Sequence, residues 1–179
     1  MGEPLKRKVR RLYVDTFYAI MTSTVIQALE VAASVVAGTM TGNEIAVAAF
    51  FHPRISRLED AVHVRAAQTL ASALGAVMPF WYGLTFLLSL AVVFVAHPMW
   101  STPWWLALAS AALFAMMIVY TVLLPAPLNK QIARWQPSSP PANWRELRQR
   151  WDMLHAIRVG FLVVALILLV ASSVIQPVA

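Results

Sequence analysis

The chain of 179 residues contains no cysteine, and charged residues are scarce. Without a thiol it can form no disulfide bond, hold no iron–sulfur cluster and use no thiolate nucleophile. Charged residues make up 12% of the sequence, roughly half the share that is usual in a soluble domain. So little polar surface could not cover a soluble all-helical core, and the composition therefore indicates an integral membrane protein.

Four long apolar stretches stand where charge is missing, at about 25–51, 70–96, 103–124 and 157–175. A helix needs about 20 mostly apolar residues to cross a bilayer, and in lipid a single segment must satisfy its own backbone groups by forming a helix. We therefore predict an all-α fold, an integral membrane four-helix bundle over residues 21–179. Its helices are expected at about 25–51, 66–96, 103–124 and 143–176.

Two clusters of basic residues flank these stretches and give a net charge of +6. Residues 1–20 are predicted to form a basic interfacial segment, and loops 52–65 and 128–154 carry eight further Lys and Arg. Beside membrane helices, Lys and Arg act as topology signals and contact lipid headgroups, so we expect the bilayer and no nucleic acid as partner. Both loops should share one face, with the termini on the other. We expect a multi-pass protein of the cell membrane, and a homo-oligomer is compatible with this arrangement. The eight Lys and Arg of the loops favour cytoplasmic loops, whereas the five of the N-terminal segment favour the opposite orientation.

The last helix carries the clearest polar constellation. Arg148, Trp151, His155 and Arg158 follow one another at spacings of three and four residues, which places them on one helix face. Anchoring at the interface accounts for Arg148 and Trp151. His155 and Arg158 lie where the apolar run has begun, and ionisable groups inside a membrane indicate function by default.

Glu44 lies within the first apolar stretch, where an unpaired charge would be costly. We therefore predict that Glu44 pairs with Arg158 or with His155 inside the bundle. His52 ends the first stretch and Asn129 follows the third. In a bundle with short connections these positions should meet at one membrane depth, which predicts a site of His52, Asn129, Trp151, His155 and Arg158 near the loop face.

A metal site is a second interpretation of these polar residues. His52, His63, His155 and Glu44 have the donor atoms for one. No two of them are spaced three or four residues apart in one helix, so no metal motif is present.

Five motifs spread over nearly the whole chain resemble the anthrone-oxygenase-like family of small four-helix membrane proteins. They are Gly42-Asn43-Glu44, Phe51-His52-Pro53, Met78-Pro79-Phe80-Trp81, Pro127-Leu128-Asn129, and Arg150-Trp151 with His155 and Arg158. The resemblance implies a four-helix membrane bundle. It also implies, as in the characterised fungal members, oxidation of a polyketide anthrone to an anthraquinone by dioxygen. The positions implied are Glu44, His52, Asn129, Arg150, Trp151, His155 and Arg158.

The chemistry of such a substrate suits these residues. A base such as His155 or His52 would remove a proton from the acidic CH₂ group, and the resulting anion would react with dioxygen without a cofactor. An Arg or Asn129 would stabilise the enolate oxygen. The aromatic rings of Trp81, Tyr82 and Trp151 would line a flat pocket, with Arg150 and Trp151 also binding the substrate.

We therefore predict a membrane-embedded oxidoreductase that acts on a lipophilic aromatic or related small molecule. The alternative is a non-enzymatic membrane subunit or scaffold whose buried polar cluster is structural. A carrier or channel is disfavoured, because the chain has no inverted repeat and few polar residues at mid-membrane depth.

Overall fold

The computed structural model describes residues 3–175 and, over that range, contains helices and no strand. In chain order these are α1 (Glu3–Ala46), a π-helical turn (Val47–Phe51), α2 (His52–Ile55), α3 (Asp60–Val95), α4 (Thr102–Leu123), α5 (Pro125–Ile132) and α6 (Trp144–Val174). Four of them, α1, α3, α4 and α6, are long. The predicted all-α class is confirmed.

The four long helices form one bundle. Each packs on two others, in the order α1–α3–α4–α6 and back to α1. Together with their short continuations, all four are long and apolar enough to cross a membrane. The predicted four-helix bundle is therefore confirmed, while its location in the cell membrane and its oligomeric state stay predictions.

Helix α1 is longer than its apolar stretch. Its described part begins at Glu3, whereas the sequence predicted a helix from about residue 25. Between residues 5 and 37 there is no glycine or proline to end it. The side chains from 12 to 25 are exposed, so this part of α1 does not pack on the other three long helices. The interfacial position predicted for residues 1–20 stays a prediction, and residues 1, 2 and 176–179 lie outside the described range.

Small residues and side-chain hydrogen bonds between helices hold the bundle together. Ala37, Ala111 and Ala165 are buried, and residues of this size let helix backbones approach closely. The Ser110 hydroxyl donates to the carbonyl of Ala165 at 2.7 Å, and the Trp81 indole N–H donates to the carbonyl of Val36 at 3.2 Å. These bonds join α4 to α6 and α3 to α1.

The topology can be tested by cysteine labelling, because the natural chain supplies no background thiol. Ser56→Cys and Ser138→Cys lie in the two loops at one end of the bundle, and Met99→Cys lies in the connection at the other end. All three positions are exposed. In sealed vesicles, we expect a membrane-impermeant maleimide to label positions 56 and 138 from one side and position 99 from the other. Labelling of positions 56 and 99 from the same side would contradict four crossings.

Candidate active site

A π-helical turn places His52 inside the bundle. Pro53 has no N–H, and its ring would clash with the carbonyl four residues back, so a regular α-helix cannot continue through it. The chain widens instead, and the N–H of His52 donates to the carbonyl of Val47, five residues back. Such π-helical turns are frequent at functional sites. Here the turn leaves His52 buried at the end of α1, facing α6.

Glu44 is the centre of a buried polar cluster built from three helices. Its carboxylate lies 2.8 Å from the Arg158 Nη2 atom of α6 and accepts a hydrogen bond from the Tyr82 hydroxyl of α3. His155 Nδ1 is 3.3 Å from the same carboxylate oxygen that binds Arg158. Glu44 and His155 are each 1% exposed. The predicted pairing of Glu44 with Arg158 is confirmed, and His155 joins the same pair.

Both ring nitrogens of His155 are engaged within the protein. Nε2 lies 3.2 Å from the carbonyl oxygen of Glu44, and Nδ1 lies 2.7 Å from Arg158 Nη2. Since Nε2 can bond a carbonyl only by donating, the neutral ring accepts from Arg158 at Nδ1. That leaves His155 without a free lone pair. A carboxylate has about four acceptor positions, so Glu44 keeps free lone pairs after its hydrogen bonds to Tyr82 and Arg158.

A second set of contacts leads from this cluster towards the loop face. The His52 ring lies 4.8 Å from the His155 ring and 4.9 Å from the Trp151 ring, between centroids. His52 Nδ1 is 3.2 Å from an Asp152 carboxylate oxygen, and Arg148 Nη2 is 2.8 Å from the same oxygen. Asp152 is partly exposed. The contacts thus connect the buried cluster with the surface of the bundle.

A cavity of about 640 Å³ adjoins the cluster. Pockets of this size bind drug-sized ligands. Helices α1 and α6 contribute only polar and aromatic side chains to it, namely Glu44, Arg148, Trp151, His155 and Arg158. Most of the remaining lining comes from small and apolar residues of α3 and α4. The predicted cavity between helices therefore exists, with a polar wall and an apolar one.

N–H donors with no partner lie beneath the cavity wall on α6. In the described structure, Arg148 Nε, Trp151 Nε1 and Arg158 Nε are buried and make no hydrogen bond. A buried donor left without a partner costs about 1–3 kcal/mol. Each of these three atoms has almost no accessible surface, so they lie beneath the cavity wall and not on it.

Most of the predicted site residues lie around this cavity, and three do not. Glu44, His155, Arg158, Asn129, Trp151 and Tyr82 line it. His52 does not line it but lies behind Trp151 and His155. Arg150 is exposed away from it, because successive helix residues point about 100° apart and Trp151 faces inwards. Trp81 faces α1, where it bonds Val36. Arg150 and Trp81 therefore do not line this cavity, and the substrate-binding roles predicted for them stay predictions.

Two residues of the site were missed or undervalued by the sequence analysis. Asp152 was not singled out, although its place four residues after Arg148 is the spacing of a helical ion pair. Arg148 was read as an interface anchor, yet it lines the cavity and lies over the Trp151 ring, 4.5 Å from its centroid.

Of the four candidate metal ligands, His52, His155 and Glu44 come together and His63 does not. His63 packs against Trp144, with 5.0 Å between ring centroids, and stands apart from the Glu44 cluster. Among residues 3–175, no three His, Asp or Glu side chains are arranged so as to hold a metal ion. Whether the protein acts without a cofactor stays a prediction.

The opposite end of the bundle carries a carboxylate–imidazole contact of a different kind. His97 Nε2 lies 3.4 Å from a Glu30 carboxylate oxygen. Burial lowers the pKa of His97, which lies in the connection between α3 and α4. His97 is therefore uncharged at pH 7, and no Arg reaches this carboxylate in the described structure. Glu30 thus provides a matched control for Glu44.

Comparison with known proteins gives one match. The family model for anthrone oxygenase matches residues 67–168, more than half of the 179-residue chain. The matched range holds Tyr82, Asn129, Trp151, His155 and Arg158, whereas Glu44 and His52 precede it. No curated protein and no solved structure matches the chain.

Proposed function

This chain belongs to the anthrone oxygenase family, and on that premise we propose that it is a membrane-embedded oxidoreductase that uses dioxygen. Its substrate is a lipophilic aromatic molecule with an activated CH₂ group. The reaction oxidises this CH₂ group to the carbonyl group of a ketone. The lipid bilayer is the medium in which it meets this substrate.

One observation carries the proposal: a carboxylate, a guanidinium and a phenol meet on the wall of an apolar cavity. Removing a proton from carbon needs a base that is held next to groups able to stabilise the resulting enolate. Glu44 is the base in this proposal, because it keeps free lone pairs where His155 does not. When Glu44 has taken the proton, Arg158 and Tyr82, which had donated to its carboxylate, donate to the enolate oxygen instead and stabilise its negative charge.

The remaining steps need only dioxygen. The enolate passes one electron to dioxygen, and the two radicals combine to form a carbon–oxygen bond, giving a hydroperoxide after protonation. Loss of the second C–H proton then forms the C=O bond as the O–O bond breaks, and hydroxide leaves as water after protonation. In total, one CH₂ group and one O₂ give one C=O group and one H₂O.

The proton taken by Glu44 must return to water. His155 Nδ1 lies 3.3 Å from the Glu44 carboxylate, and the His155 and His52 rings are adjacent. His52 in turn contacts Asp152, which is partly exposed. We assign this row of side chains the transfer of the proton to the loop face, and His155 accepts at Nδ1 once the Arg158 guanidinium turns from it to the enolate oxygen.

A structural role is the alternative, and the same bonds support it. The Glu44 carboxylate ties α1 to α3 through Tyr82 and to α6 through Arg158, as a scaffold would need. The two proposals differ in whether the cavity next to these bonds takes up a substrate that reacts.

Oxygen uptake tests the proposed reaction. The purified protein in liposomes, supplied with anthrone, is expected to consume oxygen faster than empty liposomes and to form one anthraquinone per O₂. With ¹⁸O₂, the new carbonyl should carry the label. Glu30→Gln, which alters the carboxylate at the other end of the bundle, should leave the rate unchanged. If neither anthrone nor hydroxylated anthrones raise oxygen uptake above that of empty liposomes, the scaffold reading replaces the oxygenase.

A further inference from the structure

The cavity is bordered on its apolar side by residues that face out of the bundle. Gly75 and Pro79 of α3 and Val122 of α4 line the cavity and are also exposed. Gly75 and Pro79 lie near the middle of α3, a helix long and apolar enough to span the membrane. These three residues frame a gap between α3 and α4, which we call the α3–α4 portal.

Two features of α3 keep this portal open. A Cβ atom added at Gly75 would meet no atom within 4 Å, so the space beside it is empty. Pro79 has no N–H and therefore cannot donate to the carbonyl of Gly75, four residues back. That carbonyl lacks its usual helical donor at membrane depth, where such a group is costly.

The polarity of the cavity runs from the portal inwards. Leu74 and Met78 of α3 and Ile118 of α4 line the apolar side, and Glu44, His155 and Arg158 line the opposite side. A molecule that moves inwards from the lipid would leave its apolar part near α3 and α4. Its polar edge would then reach the groups on α1 and α6.

The charges on the polar wall determine whether a charged or a neutral group of a ligand can bind there. Arg158 is paired with Glu44, and Arg148 is paired with Asp152, so neither guanidinium lacks a counter-charge. A permanently charged phosphate or carboxylate head would find no unpaired Arg at this wall. A neutral molecule with carbonyl or hydroxyl oxygens needs no unpaired counter-charge at this wall.

We propose that a neutral, weakly acidic aromatic ketone or phenol dissolved in the bilayer reaches the Glu44 cluster through the α3–α4 portal. That this ligand is a substrate rests on the proposed function, but its binding can be measured independently. The competing occupant of the portal is the chain of a fatty acid, which shares the apolar body but carries a charged head.

The rate of ligand binding tests the portal. The probe is 1-hydroxyanthraquinone, a flat ketone and phenol that has no CH₂ group to be oxidised. Its association with the protein in liposomes is followed by quenching of tryptophan fluorescence. Gly75→Trp should slow association by at least about tenfold, which corresponds to about 1.4 kcal/mol on the barrier. Val122→Trp, on the other side of the portal, should slow it likewise.

Two variants serve as controls. Gly160 of α6 is exposed and also has open space around its Cβ position, but it does not line the cavity. Gly160→Trp should bind the probe at the wild-type rate. Ala133 lines the cavity at its loop-face rim, so Ala133→Trp tests entry from that rim and should slow association less than either portal variant does.

The outcomes separate this proposal from the proposed function. Normal association in both Gly75→Trp and Val122→Trp, or slowing only in Ala133→Trp, would overturn the portal. Displacement of the probe by oleate at equal concentration in the lipid would overturn the ligand class. Slower association in both Gly75→Trp and Val122→Trp, with the wild-type rate in Gly160→Trp, supports the portal. This holds even if the wild-type protein consumes no oxygen with anthrone. In that case only the proposed reaction fails.

Discussion

Glu44→Gln is expected to abolish oxygen uptake and to lower the free energy of unfolding by about 3–5 kcal/mol, because it leaves a buried guanidinium without its counter-charge. Arg158 lies 2.8 Å from the Glu44 carboxylate, and both side chains are almost fully buried. A glutamine can still accept from Tyr82, but it brings no negative charge and cannot act as the base. Unfolding in a denaturing detergent, followed by circular dichroism, measures the stability.

A double variant separates the loss of stability from the loss of oxygen uptake. In Glu44→Gln/Arg158→Met the buried charge is gone, and most of the lost stability should return while the activity stays absent. Glu30→Gln should change neither, since no Arg contacts Glu30 in the described structure. If Glu44→Gln has wild-type stability, the Glu44–Arg158 contact does not matter to the fold. If the double variant regains activity, Glu44 is not the base.

His155→Ala is expected to lower kcat by a factor of about 10²–10⁴, the usual contribution of a positioned acid–base group. The ring accepts from Arg158 Nη2 at 2.7 Å and lies 3.3 Å from the Glu44 carboxylate. Its removal therefore frees Arg158 to rotate and takes away the next acceptor of the proton. Helical content should not change, because the substitution removes only contacts that the His155 side chain makes and leaves the helix backbone in place.

His52→Ala is the matched comparison for His155→Ala. It removes the same ring from a position behind the cavity wall, and the loss of kcat should be smaller and partly restored by added imidazole. Full activity in His155→Ala would remove His155 from the reaction. A His52→Ala variant that is less active than His155→Ala would place His52, and not Glu44, next to the reacting carbon.

The pairing of Glu44 could be predicted from the sequence because the membrane leaves few choices. A carboxylate in an apolar stretch needs a partner, and Arg158 was a candidate within another apolar stretch at the same end of the bundle. The contact between His52 and Asp152 could not be predicted in this way. It depends on the π-helical turn before Pro53, which rotates His52 towards α6.

Arg150 and Trp81 lie away from the cavity for a common reason. Arg150 with Trp151, and Trp81 with Tyr82, were each assigned together because they are adjacent in a motif. On a helix, adjacent residues point about 100° apart, so one member of each pair faces the cavity and the other does not. The helical period alone would have separated the members of each pair. Which member faces inwards depends on how the helix is rotated in the bundle.

The sequence by itself determined the class of the protein and the number of its long helices. It could do so because apolar runs of this length must satisfy their backbone groups as helices wherever lipid surrounds them. The tertiary structure decided that Tyr82 bonds Glu44, that His155 has no free lone pair, and that the cavity is bordered by Gly75, Pro79 and Val122. These features follow from the rotation of each helix about its axis and from its packing on two neighbours. Both are set by contacts between residues far apart in the chain, which the local sequence pattern does not contain.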